Sequence, residues 1–240
     1  ISAGTLILAN SSGIGIHNSS ALTISAGAVL DLRFSETIGS LAGAGNVTTG
    51  SLGAKTLTVG NDDSSTTFSG VIQNGSGSIS LTKIGAGTFT LTGNSTYTGL
   101  TTVSAGTLKF APSSSFAMTL SGGIANNSEV LYEAASGSAL FLDGAVSGAG
   151  TWTVNSASSN TTFNNRMIFR GTSTISGQVT VTNYGNLWLE GSSVNATSAI
   201  YLNGANTYLR LYGAAGATIK SGTITGNGTI DFAFFCCEAP

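Results

Sequence analysis

Charge is what this 240-residue chain has least of. Asp, Glu, Lys and Arg together make up 8%, against about 25% in an average soluble domain. The eight Lys and Arg are scattered from Arg33 to Lys220, and the formal net charge is −2. With no basic cluster to neutralise a phosphate backbone, nucleic acid is excluded as a partner. No run of about eighteen apolar residues occurs, so neither a transmembrane helix nor membrane insertion by this segment is expected. Ile1 opens directly into ISAGTLIL, without a basic stretch and apolar run before it, as expected of a mature segment or a fragment. Cysteine is missing until Cys236 and Cys237. Adjacent cysteines close only a strained small ring, so the pair reads as free or as pairing between molecules. A metal site would need more ligands, and the only histidine, His17, is far away in sequence. No metal and no cofactor are expected.

Glycine is what the chain has in quantity: 34 residues, beside only two prolines and 41% hydrophobic residues. That combination suits many tight turns in a regular stack; a disordered chain would be charged and poor in β-branched residues. No window carries a 3.6-residue period, and glycine interrupts each run before a helix could nucleate. Apolar and Thr/Ser positions instead alternate, most clearly over 78–110 (SISLTKIGAGTFTLTGNSTYTGLTTVSAGTLKF). AGTL occurs at 3–6 and 105–108, TTF at 66–68 and 161–163, and GAGTFTLTG at 85–93 returns as GAGTWTVNS at 148–156. These echoes suggest one continuous body over 1–232, built of two imperfect copies (about 1–104 and 105–207, plus terminal rungs), followed by a tail at 233–240.

Strand-type segments bounded by turn residues recur throughout, among them TFTLT (88–92), TTVSAGTLKF (101–110), TWTVN (151–155), QVTVT (178–182), NLWLE (186–190), AIYLN (199–203) and TYLRLY (207–212). Alternation gives each strand one buried and one solvent face. A meander of hairpins would join strands by two-residue turns, whereas a coil of parallel rungs brings strands into register about every twenty residues. The C-terminal spacings favour the coil: Val179 to Ile200 and Leu187 to Leu209 are each close to one such interval. About twelve rungs at about 4.8 Å each would make a rod on the order of 55–60 Å long. Inward positions would then include Leu81, Phe89, Leu91, Val103, Leu108, Phe110, Leu140, Leu142, Val154, Ile168, Val181, Leu189, Leu202 and Leu211. The fold expected is an all-β, single-stranded parallel β-solenoid.

Residues 68–110 also resemble the passenger-associated strand repeat of bacterial autotransporters. The resemblance rests on Phe68–Ile72, the Leu-Thr-Lys-x-Gly at Leu81–Gly85, Gly87–Gly93, Asn94–Gly99 and the Gly-Thr-Leu close at Gly106–Leu108, and covers about residues 1–110. It implies a right-handed parallel β-helix exported to the bacterial surface. It implies no activity, since the repeat is a scaffold element. The family's membrane-embedded translocator barrel is not in this segment, which is expected not to export itself.

The enzymatic alternative, a polysaccharide lyase or depolymerase on a β-helix, needs converging carboxylates. The acidic candidates read otherwise: Asp62 and Asp63 lie in the turn sequence GNDDSS, and Glu129 and Glu133 flank Val130 and Tyr132 as strand-end charges. Asp31 with Glu36 completes the set, and the Asn-Thr-Asp, Gly-His-Gly and Arg-x-Lys motifs of pectin degraders are missing. No catalytic residue is assigned. GNDD is a single copy, too few oxygens for a calcium coil. Thr-x-Thr elements at 56/58, 88/90/92, 151/153 and 180/182 read as good β-formers facing solvent, not as an ice-ordering ladder. The sharper expectation concerns binding. Parity turns Trp188, Tyr208, Arg210 and Tyr212 outward, Trp188 and Arg210 lie one rung apart and could stack, and Tyr201 faces outward one rung after Thr180. Such a strip on a charge-poor rod suggests surface glycans or side-to-side self-association, and the open rod ends suggest end-to-end self-association. The expected role is an extracellular structural or adhesive solenoid at the bacterial cell surface.

Overall fold

Strands of two to six residues are too short to bury a core by themselves and must stack. In the computed structural model they do so without a helix among the described residues, which are 1–9, 15–112, 117–134, 137–156, 165–190, 193–196, 199–213 and 218–234. Cys236, Cys237 and the second TTF at 161–163 lie outside the described residues.

Four sheets result. Sheet A has four strands and starts at Thr5–Leu8. Sheet B has ten, from Ala21–Ile24 to Ile224–Gly226. Sheet C has nine, from Glu36–Ile38 to Thr218–Ser221. Sheet D has six, from Ala117–Leu120 to Thr229–Phe234. After a first turn with described strands only on A and B, the chain visits A, then C, then B in successive turns, and from Ala117 onward D takes the place of A in that order. Every pairing among the described strands is parallel. This is a three-faced β-solenoid.

Register in sheet B steps from Ile24 to Gly226 in nine intervals, among which Ile24 to Gly43 is short and Val154 to Val181 is the longest. The rod therefore has about nine turns, not twelve, because corner segments lengthen most rungs beyond the interval expected. Nine intervals at about 4.8 Å give about 43 Å of axial rise. The expected pairings of Val179 with Ile200 and Leu187 with Leu209 are in register.

Alternation supplies the core. One inward column of sheet B runs Phe68, Leu91, Phe110, Tyr132, Val154, Val181, Leu202, each stacked on the next. The column belongs to a single apolar cluster extending from Leu8 to Leu209. At about 1.5–3 kcal/mol for each large side chain buried, this dry axis is the main stabilising term. Trp152 meets Phe169 across it, edge to face at 5.3 Å between centroids. Where sheet A ends at Val71–Ile72 and D has yet to begin, 94–99 keep the stack without a strand: Ile72 N–H donates to Ser95 Oγ and Thr96 N–H to Ile72 O.

Ile168 departs from the expected parity. Met167 and Phe169 register with Leu187 and Leu189 inside, whereas Ile168 registers with Phe141 and Trp188 on the outer side of sheet D. Ile168 is nonetheless 1% exposed. The segment RMIFR has apolar residues at three consecutive positions, so parity by itself could not choose the inner pair.

Candidate functional site

The outer surface of sheet D collects most of the chemistry in the C-terminal half. Its central column reads Thr119, Phe141, Ile168, Trp188, Arg210, Asp231 in register. Arg166 and Arg170 flank it, so three of the chain's four arginines share one face. Arg166 and Arg210, one rung before and one rung after, lie over the Trp188 ring with Cζ 4.6 and 4.8 Å from its centroid. Arg170 lies over Phe141 at 3.9 Å and bridges Glu190 at 3.2 Å and Asp143 at 3.8 Å. Arg210 also pairs with Asp231, with Nε donating at 2.9 Å. Three arginines thus face three carboxylates, and the surface is locally neutral. Cation–π contacts contribute about 0.5–1 kcal/mol each at exposed sites, so the arrangement ties rungs together more than it draws a charged ligand.

Of the five residues singled out by sequence, Trp188, Tyr208, Arg210 and Tyr212 lie on sheet D. Tyr201 does not: it lies on sheet B, in register with Thr180 and Thr225 and 41% exposed. It borders an open cleft of about 420 Å³ with Gln178, Thr180, Asn203 and Asn227. A threonine column also exists, Thr37, Thr58, Thr82, Thr102 on sheet C, but it ends at Ala125.

The acidic candidates have structural partners. Ser64 N–H donates to Asp62 Oδ1 at 2.9 Å and Ser40 Oγ–H to Oδ2 at 2.8 Å. Burial opposes ionisation of Asp62, but these bonds outweigh it and hold the carboxyl below its ordinary value. Asp63 accepts from Ala86 N–H, Glu129 from Thr107 Oγ–H, and Glu133 pairs with Lys109 at 2.6 Å. Asp31 pairs with Arg33 at 2.8 Å, and Glu36 accepts from Gly15 and Ile16 N–H. Among the described residues, no three His, Cys, Asp or Glu are grouped to hold a metal ion, and no helix is long and apolar enough to cross a membrane.

Sequence reasoning missed Lys83. It has the same parity as the inward Leu81 and is fully buried. Its ammonium donates to the carbonyls of Ile84, Gly85 and Ala105 at 2.6, 2.8 and 3.2 Å, closing the corner between sheets C and B. Desolvation lowers its pKa, partly offset by the charge of Asp63. The signal was the inward parity of a lysine, an unusual position unless its donors are used.

Residues 81–110 match the passenger-associated-transport-repeat family. The matched stretch starts inside the sheet C strand Ile79–Lys83, crosses Thr88–Leu91 on B and the strandless 94–99, and closes through Thr101–Val103 and Thr107–Phe110. It holds the Lys83 corner and the buried Tyr97, whose hydroxyl bonds Thr101 Oγ1 at 2.8 Å. A passenger repeat on a parallel β-solenoid fits an autotransporter passenger repeat protein. No curated protein and no solved structure matches the chain.

Proposed function

We propose that this segment is a surface-exposed structural and adhesive part of an autotransporter passenger. The observation that supports it most is the coincidence of the transport repeat at 81–110 with a parallel stack whose sheets B and C run straight through it. The sheet D arginine–aromatic face stiffens the rod, and Tyr208 and Tyr212 at its margin offer contact surface to glycans or a neighbouring rod. The acids among the described residues serve ion pairs, backbone N–H groups and hydroxyls, which favours a role without catalysis; incubation with pectin, alginate or capsule should release no reducing ends.

Self-association belongs to the same reading. Ile230 and Phe232 lie on the last described strand, Thr229–Phe234, in register with the inward Leu209 and Leu211, and are 40% and 61% exposed. A further rung, from the same polypeptide or a second copy, would cover them. Electron microscopy at rising concentration should then show elongated particles that lengthen; monodisperse monomers would count against fibre formation.

The decisive experiment is on cells. Antibody against the segment should label intact bacteria that make it, and Trp188→Ser with Tyr212→Ser should lower adhesion or rod-to-rod contact without changing the far-UV circular dichroism. Label confined to the cytoplasm of permeabilised cells would contradict surface display, and unchanged adhesion and contact would contradict the use of this face.

A further inference from the structure

The sheet B cleft carries a more specific chemistry than the sheet D strip. It starts from a glycine. Gly226 registers with Leu202 at φ +118°, and a Cβ there would lie 2.0 Å from Leu202 O. Only backbone fits between these two rungs, so Gly226 lines the cleft without a side chain, next to Tyr201. The phenol ring is the exposed aromatic of this surface, and amides surround it. Gln178 Nε2 donates to Thr180 Oγ1 at 3.1 Å, and Asn227 Oδ1 accepts from Gly204 N–H at 2.9 Å. Each bond uses one end of its amide: the Gln178 oxygen and the Asn227 NH₂ have no bond to a described residue. Asn203, exposed beside Tyr201, adds a third amide.

We infer that this cleft binds one or two residues of a neutral oligosaccharide, with a sugar ring stacked on Tyr201 and its hydroxyls bonded to Gln178, Asn203 and Asn227. The chemistry favours that class in three ways. A sugar ring has an apolar C–H face and a polar rim, which matches an aromatic plate ringed by amides. No lining residue carries charge, so a nucleotide or a polyuronate would find no cation to offset its desolvation. The volume of about 420 Å³ falls within the range of about 300–1,000 Å³ usual for small-ligand sites. Trp188, by contrast, has guanidinium groups over its ring from both neighbouring rungs, so Tyr201 is the better stacking platform. The inference rests on the adhesive reading and moves its chemistry to a different face.

The test is titration of the protein with cellohexaose, maltohexaose and mannohexaose, and with hexagalacturonate as the charged control, by calorimetry and saturation-transfer NMR. At least one neutral oligomer should bind, more tightly than the uronate. Tyr201→Ala should weaken it at least about tenfold, Tyr201→Trp should stay within about threefold, and Gln178→Ala or Asn227→Ala should cost about fivefold each. Absence of binding by all three at millimolar concentration, survival of binding in Tyr201→Ala, or a preference for the uronate would overturn the inference. Cell adhesion separates the two ideas. If Trp188→Ser with Tyr212→Ser abolishes adhesion while the neutral oligomers fail to bind, the cleft inference falls and the adhesive reading stands. If no variant alters adhesion but Tyr201→Ala abolishes oligomer binding, the cleft stands and the adhesive reading falls.

Discussion

At the scale of the residue, corners set the strictest demands. Gly60 sits at φ +109°, and an added Cβ would lie 1.9 Å from Ile84 O of the next rung; Gly85 would meet Gly60 O at 1.8 Å. Gly27 also has positive φ, +80°, but nothing lies within 4 Å of its Cβ position. Gly60→Ala should therefore cost about 3 kcal/mol or more, conformational strain plus a backbone overlap, while Gly27→Ala costs about 1 kcal/mol of strain. Urea unfolding of the two variants measures the difference. Buried phenols give a second prediction. Burial pushes Tyr132 up to about 12, against a Ser138 hydrogen bond and the charge of Arg166, and burial raises Tyr97 as well. The unfolded phenol ionises near 10, so the folded state holds protons that the unfolded state releases. This stability is fully present below about pH 10 and is lost as pH rises toward about 12. Unfolding free energy should fall over that window, less steeply in Tyr132→Phe.

At the scale of the element, the sheet D column is a ladder of unlike side chains whose coupling is measurable. Trp188→Ser should cost about 2 kcal/mol and Arg210→Met about 1 kcal/mol, with a coupling of about 0.5–1 kcal/mol in the double-mutant cycle. The Trp188–Arg210 contact was legible beforehand, because their separation in sequence is one rung and both residues have outward parity between flanking leucines. Short strands hid the rest. Thr101–Val103 and Thr107–Phe110 read as one run over 101–110, since Thr and Val continue the alternation through the corner. In truth Ser104–Gly106 turns the chain from sheet C to sheet B. Strands such as Val71–Ile72 and Val146–Ser147 hold too few alternations to be seen, so the sequence showed rungs but not their three sides. Tyr201 was placed correctly as outward; its separation from the other aromatics depends on which side each strand occupies.

At the scale of the whole molecule, sheets B and C run unbroken along nearly the entire described chain, and each rung touches mainly its neighbours. Parallel winding around a dry axis was legible from alternation and spacing. Rung number was not, because corner length varies independently of the pattern inside strands. The outer column of sheet B stacks Thr67, Thr90, Lys109, Leu131, Thr153, Thr180 and Tyr201. Spin labels at Thr67 paired in turn with Thr153, Thr180 and Tyr201, with Cys236 and Cys237 changed to serine, read this winding directly by pulsed electron resonance. The backbone separations should rise by one strand spacing at each step, to about 19, 24 and 29 Å. Distances that failed to increase in that order, as in a sandwich or barrel where successive strands return on one another, would contradict the solenoid.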